Sequence, residues 1–148
     1  MRAALDTNIL VYAEGLNGAP KKAVALELIG RLPGDSGVLP AQVLGELFSV
    51  LVRKARQTPR AARTAILRWQ DAFPIIDTSA AVLTAAADLA ADHKLGIWDA
   101  VIFSAAVAAD CRLLLSEDFQ DGFTWHGVTV VNPFATKPHA LLETLIRG

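Results

Sequence analysis

The sequence predicts an α/β protein: a three-layer α/β/α sandwich around a central, mainly parallel sheet of about five strands. Two observations carry this. Short, mostly apolar runs alternate along the chain with longer helical segments, the pattern of parallel strands joined by helical crossovers and covered on both faces. The length is 148 residues, 53% hydrophobic and 20% charged, which suits one folded unit with a single core.

The elements follow in order. Residues 2–5 read as a buried strand ending at Asp6, and Asp6-Thr7-Asn8 turns into a short helix over Asn8–Glu14. Asn17 to Pro20 is a loop, and Pro20 starts a helix running to about Leu32. Pro33 to Gly37 is a turn cluster; Val38-Leu39 is a second strand, and Pro40 opens a helix to about Ala55. Thr58 caps a helix with Pro59 at its first position, reaching about Ala72. Pro74–Ile76 is a third strand. Asp77 to Ser79 cap an Ala-rich helix whose stop is Lys94-Leu95-Gly96, a basic last turn followed by glycine. A helix over Trp98–Asp110, a strand over Arg112–Leu115, a loop over Ser116–Trp125 and a strand over Val128–Val131 complete the pattern. Residues 1–134 form the expected domain. The tail, 135–148, leaves room for a terminal helix over Lys137–Arg147.

Composition excludes several classes. The net charge is -1, so a protein basic over its whole surface is ruled out, and any nucleic-acid contact needs a local basic patch or cations. The single cysteine, Cys111, permits no intrachain disulfide and no Cys-rich zinc site. His93, His126 and His139 lack zinc-ligand spacing and read as ordinary residues. The N-terminus does not have the pattern of a signal peptide, and no apolar run approaches the roughly 20 residues of a membrane helix. A soluble, cytoplasmic protein is the expectation.

Four acids stand where a carboxylate is costly. Asp6 follows a central strand directly, at the carboxyl end where sites form in this architecture, although a helix cap also accounts for it. Glu46 shares a narrow polar stripe with Gln42, Ser49 and Arg53, flanked by apolar residues on both sides. Asp99 opens a helix in which Ser104 is the only other polar side chain between Ile97 and Ala109. Asp118 follows the apolar run Leu113–Leu115, with Glu117 and Asp121 beside it, and at least one of these three needs only solvent. Carboxylates gathered at one sheet edge repel each other and take up protons unless a cation offsets them. Mg²⁺ or Mn²⁺ suits such oxygen donors.

This set of residues resembles the PIN-domain family, from Met1 to about Phe134. The motifs are the strand ending in Asp6-Thr7-Asn8, Glu46 in the helix after the second strand, Trp98-Asp99-Ala100 at a helix start, and Leu115-Ser116-Glu117-Asp118-Phe119 after an apolar strand. The resemblance implies an acidic pocket of Asp6, Glu46, Asp99 and Asp118, with Asp6 and Asp99 the main direct metal ligands and Glu46 and Asp118 binding directly or through water. Thr7, Asn8 and Ser116 would support it by hydrogen bonds; Ser116 stands where relatives often have Thr, and the hydroxyl is kept. The fourth acid varies in the family, so Glu117 or Asp121 stands as an alternative to Asp118.

The implied activity is Mg²⁺- or Mn²⁺-dependent endoribonuclease cleavage of single-stranded or structured RNA by an activated water, leaving a 5′-phosphate and a 3′-hydroxyl. The small size looks like the VapC-type toxins of VapBC pairs. Those commonly dimerise and pair with a small DNA-binding VapB-type antitoxin whose tail plugs the acidic groove. RNA, a cognate antitoxin and a homodimer are therefore the implied partners.

An acidic pocket repels a polyanion, so a basic rim is expected. Arg53, Lys54, Arg56, Arg60, Arg63 and Arg68 supply six of the 14 basic residues within a 16-residue window free of acids. Solvated helix faces account for them equally, except that Arg53 shares the stripe of Glu46. Trp98 is assigned to core packing, with base stacking as its alternative. The rival readings are a catalytically silent PIN-fold binding module and an aspartate-dependent phosphoryl-transfer enzyme. The second wants an acid where Asn8 stands, or an acidic pair where Ala4-Leu5 stand.

Overall fold

Ala3-Ala4-Leu5 has no polar side chain on either face, and it forms the middle of the sheet. The computed structural model describes all residues, Met1 to Gly148. In chain order the elements are β1 (Ala3–Leu5), α1 (Thr7–Ala13), α2 (Ala19–Arg31), β2 (Gly37–Pro40), α3 (Ala41–Arg53), α4 (Pro59–Ala72) and β3 (Ile75–Ile76). Then come α5 (Ala80–His93), α6 (Ile97–Ala108), β4 (Leu113–Leu115), β5 (Thr124–Trp125), β6 (Val128–Val131) and α7 (Ala140–Arg147). The sheet order is β3-β2-β1-β4-β6-β5. All pairings are parallel except β5 with β6.

The chain builds outward from β1 through β2 to β3, then returns to lay β4 on the other side of β1. In open parallel sheets, sites form beyond the carboxyl ends of the strands at such a reversal. Every residue of β1 and β4 is fully buried. Successive strand side chains point to opposite faces, so full burial means that both faces are covered. Each of Leu113, Leu114 and Leu115 contributes about 1.5–3 kcal/mol by leaving water. α6 is buried from Ala100 to Ala106 and packs against β2, β4, β6, α3 and α5, as a helix apolar all round must. Phe103 lies at its centre and meets Phe119, Phe123 and Trp125 edge to face. Leu142 and Leu145 of α7 join the same core, so the tail does carry a helix and it packs on the body of the protein.

Close packing also explains Gly37. A Cβ there would stand 2.9 Å from Phe73 Cε1, so β2 approaches that ring only because residue 37 has no side chain.

The structure corrects the order and ends of the elements in two places. The loop expected over Ser116–Trp125 contains a sixth strand, β5, which pairs antiparallel to β6 through a two-residue turn. His126 (φ 46°) and Gly127 (φ 83°) both take positive φ there, the conformation that fits a tight hairpin to the twist of its strands. The stop of α5 is also made differently. Lys94 (φ 56°) is its left-handed cap, whereas Gly96 sits at φ -62° as the N-cap of α6. The other caps form as expected: Thr58 Oγ1 accepts from Ala61 N, and Ser79 Oγ accepts from Val82 N, each at 3.1 Å.

Candidate active site

β1 and β4 run in register, with Leu5 opposite Leu115, and β6 continues the row with Val131. The ladder extends one residue further: Asp6 N donates to Leu115 O and Ser116 N to Val131 O, each at 3.0 Å. Asp6 and Ser116 therefore leave the sheet side by side. Ser116 Oγ donates to Asp6 Oδ2 at 2.6 Å, a short bond of the kind made to a charged acceptor. Asp6 also caps α1, with its Oδ1 accepting from Thr7 N at 2.7 Å.

Asn8 joins the pieces. Its Nδ2 lies 3.2 Å from Asp6 Oδ2, 3.1 Å from Ser116 Oγ and 3.1 Å from Asp118 Oδ2, three acceptors for two hydrogens. Ser116 Oγ in turn accepts from Asp118 N at 3.0 Å, which fixes the start of the loop after β4. Thr7 Oγ1 donates to Glu46 Oε2 at 3.1 Å and so ties α1 to α3. Asp6, Asn8 and Ser116 are buried, Thr7 and Glu46 are half-buried, and Asp99 and Asp118 are exposed. The arrangement has a dry floor and a wet rim.

Asp118 and Glu46 act on their acidic neighbours. Burial raises the Asp6 carboxyl to about 7 against the bonds from Ser116 and Thr7, and the charges of Asp118 and Glu46 push it the same way. Burial likewise raises Glu46, with Thr7 opposing and Asp99 and Asp118 adding repulsion. Asp99 is raised by partial desolvation of its carboxyl and then by Asp118. No lysine or arginine pairs with any of the four. Asp118 is therefore close enough to repel each of the other three, and Glu46 lies between Asp6 and Asp99 in that chain of repulsions. No three His, Cys, Asp or Glu side chains already close into a cage around an ion. Asp99 and Asp118 lie on the exposed rim, where solvent screens their charges. The donor chemistry, four carboxylates with two hydroxyls and an amide and no sulfur or imidazole, fits a hard divalent cation.

The neighbours of Asp118 separate cleanly. Glu117 is occupied: one carboxylate oxygen accepts from Tyr12 OH and the other pairs with Lys21 Nζ at 2.5 Å. Burial pushes Glu117 up, but Lys21 and Tyr12 outweigh it, and the carboxyl ends below its usual range. Lys21 Nζ also sits 4.5 Å from the centre of the Phe134 ring. Asp121 Oδ1 accepts from Asn132 N at 2.9 Å, a local brace outside the network. Asp118 is thus the one of the three that shares Asn8 and Ser116 with Asp6.

The sequence reading missed the Tyr12–Glu117–Lys21 brace. Tyr12 stands four residues after Asn8 on the same helical face, which is a usable signal. The approach of Lys21 from α2 had none.

Arg53 is exposed in the last turn of α3, seven residues and about 10 Å along the axis from Glu46 on the same face. Lys54, Arg56, Arg60, Arg63 and Arg68 are exposed as well, and none of the six forms an ion pair. Trp98 overturns its assignment to the core: it is 56% exposed, beside Ile97 at 40%. The first turn of α6 is exposed, and burial begins only at Ala100. No helix is long and apolar enough to cross a membrane.

Solved structures share this architecture. A toxin–antitoxin complex from Klebsiella pneumoniae matches at 24% identity with a TM-score of 0.67, covering 89% of this chain and 98% of that one. VapC20 of Mycobacterium tuberculosis, described as a sarcin–ricin-loop-cleaving toxin, matches at 19% with a TM-score of 0.65, covering 76% and 86%. VapBC-1 from nontypeable Haemophilus influenzae matches at 20% with a TM-score of 0.60, covering 80% and 87%. At these identities the likeness establishes the fold. No match is found among curated proteins. The sequence pattern of the PIN domain spans residues 3–120, from the start of β1 past Asp118, and so includes all four acids and their supporting hydroxyls and amide. By that match over most of its length, the chain belongs to the PIN domain family.

Proposed function

We propose that this protein is a divalent-metal-dependent endoribonuclease and the toxin of a VapBC-type toxin–antitoxin pair. The observation that carries the reading is that Asp118 repels Asp6, Glu46 and Asp99, and Glu46 repels Asp6, with no base among the four. Solved structures of the same fold include VapBC complexes and an RNA-cleaving toxin. Asp6, Asp99 and Asp118 would hold Mg²⁺ or Mn²⁺, with Glu46 completing the set. Bound there, such an ion supplies activation of a water and neutralisation of charge in an in-line displacement at the phosphodiester.

The protein's own residues define what happens around that ion. Ser116 and the Thr7 amide hold Asp6 toward its charged form against burial. Asn8 spaces Asp6 from Asp118. Thr7 leaves one Glu46 oxygen bonded and the other free to accept a proton or orient a water. Arg53 offers a phosphate contact beyond the acids. Neither rival reading has an observation of its own: all four acids are present, and Asn8 cannot serve as the second acid of an aspartyl-phosphate enzyme.

The test is cleavage of single-stranded RNA by the purified protein after EDTA treatment, with Mg²⁺ or Mn²⁺ restored. Metal-dependent cleavage leaving 5′-phosphate ends, lost in Asp99→Asn with an unchanged melting curve, is the expected result. Equal cleavage by wild type and Asp99→Asn would overturn it. Sedimentation of the protein, alone and co-expressed with the product of a small neighbouring reading frame, tests the homodimer and the antitoxin.

A further inference from the structure

The three tryptophans are placed very differently. Trp69 stacks on Phe73 and donates its indole N–H to Glu14 Oε1 at 2.9 Å. Trp125 packs edge to face against Phe103. Trp98 has no aromatic neighbour and no hydrogen-bond partner, and at 56% it is the most exposed large hydrophobic side chain of the protein. It is also the only aromatic one among those exposed. Core packing explains the other two indoles and leaves this one unexplained.

Its position supplies the explanation. Trp98 directly precedes Asp99 in the first turn of α6, and α6 packs against α3, the helix that carries Glu46. Adjacent Cα atoms are about 3.8 Å apart, and neighbouring side chains on a helix diverge by about 100°. The indole therefore leaves the same exposed first turn as Asp99, about 100° around the helix from that carboxylate. Ile97, 40% exposed, adds apolar surface to the same turn.

We infer that Trp98 is a stacking platform for an unpaired nucleobase of the RNA, next to the phosphodiester presented to Asp6 and Asp99. This rests on the nuclease reading and deepens it by assigning the contact that selects single-stranded substrate. An indole face meets a base only where that base is splayed from its neighbours, because a paired base inside a duplex offers no free face. Stacking of this kind tolerates any base, so the platform holds a strand in place without dictating sequence. Its apolar surface complements the rest of the rim: Arg53 takes phosphate charge, and Trp98 takes a base.

The test compares Trp98→Ala and Trp98→Phe for binding of a short single-stranded RNA by fluorescence anisotropy, in the Asp6→Asn background so that the strand stays intact. Trp98→Ala is expected to weaken binding by about 5- to 150-fold, the range of a lost base–aromatic stack, with Trp98→Phe close to the parent. In the otherwise native protein the same substitution should raise KM far more than it lowers kcat. An RNA carrying an abasic residue, placed in turn at each nucleotide flanking the cleaved bond, should erase the penalty at one position. A penalty that persists at every abasic position, or unchanged binding by Trp98→Ala while the wild type still cleaves RNA, overturns the platform and leaves the nuclease reading standing. Dissociation of a wild-type dimer by Trp98→Ala would show that a second copy covers the indole, and also overturns it. A wild type that neither binds nor cleaves RNA removes the nuclease reading and the platform with it.

Discussion

Ser116 Oγ donates a 2.6 Å hydrogen bond to Asp6 Oδ2 across neighbouring parallel strands, joining residues 110 positions apart. The bond favours the charged carboxylate and so opposes the burial that raises Asp6. Ser116→Ala removes it and should drive Asp6 further toward its protonated form. Supporting bonds of this kind set ligand basicity, so Mn²⁺ affinity should fall about 10- to 100-fold, with Ser116→Thr near wild type. Isothermal titration calorimetry measures this directly. Equal affinities for all three proteins would remove Ser116 from the support.

Asp6 itself has a pH signature. Its carboxyl is raised from 3.8 to about 7 by burial, with Asp118 and Glu46 adding repulsion. The folded value exceeds the unfolded one, so the native state binds the proton more tightly in that interval. The metal-free protein therefore loses stability as pH rises from about 4 to about 7. Above that window the penalty is constant; below it both states are protonated and none remains. Asparagine mimics the neutral acid. In EDTA, Asp6→Asn should raise Tm at pH 8 by a gain worth at most about 4 kcal/mol, shrinking to nothing near pH 4. The same substitution should abolish metal-dependent RNA cleavage. A Tm at pH 8 lower than that of wild type would contradict the sign.

Much of this site could be read in the sequence because each acid broke a local rule. Asp6 and Asp118 follow apolar strands, Glu46 interrupts an apolar helix, and Asp99 opens one; parallel topology then brings strand ends to one edge. Asn8 and Ser116 were legible from the motifs around them. The Lys21–Glu117 pair was not, because it depends on how α2 packs across α1, and no periodicity encodes that. Trp98 was misplaced because the apolar pattern of α6 says which helix is buried and not where its burial begins. The β5–β6 hairpin was missed although His126-Gly127 is a turn signal, because a two-residue strand is too short to show alternation.

Lys21 and Glu117 carry a prediction of their own. The 2.5 Å pair, with Tyr12 OH on the other Glu117 oxygen, holds the loop that presents Asp118. The Lys21 side chain is 37% exposed, so the pair itself should contribute under about 1 kcal/mol to stability. Its role is positioning. Lys21→Met should leave Tm nearly unchanged and raise the Mn²⁺ concentration needed for half-maximal cleavage, with Lys21→Arg restoring it. A metal requirement unmoved by Lys21→Met would mean that the loop holds Asp118 without help.

Arg53 separates charge from fold. It is exposed, makes no ion pair, and lies two helical turns from Glu46 on the same face, so its removal breaks no hydrogen bond or ion pair inside the protein. If it meets a phosphate, Arg53→Ala weakens binding of single-stranded RNA at low salt and has less effect as salt rises, because one fewer counterion is released. The slope of log K against log salt should become shallower by about 0.7, the contribution of one phosphate on a single strand. Anisotropy titrations between about 50 and 200 mM salt, in the Asp6→Asn background, resolve such a change. A parallel line displaced downward would mean that Arg53→Ala costs affinity through something other than phosphate charge. An unchanged line would confine the RNA path to the acids and the first turn of α6.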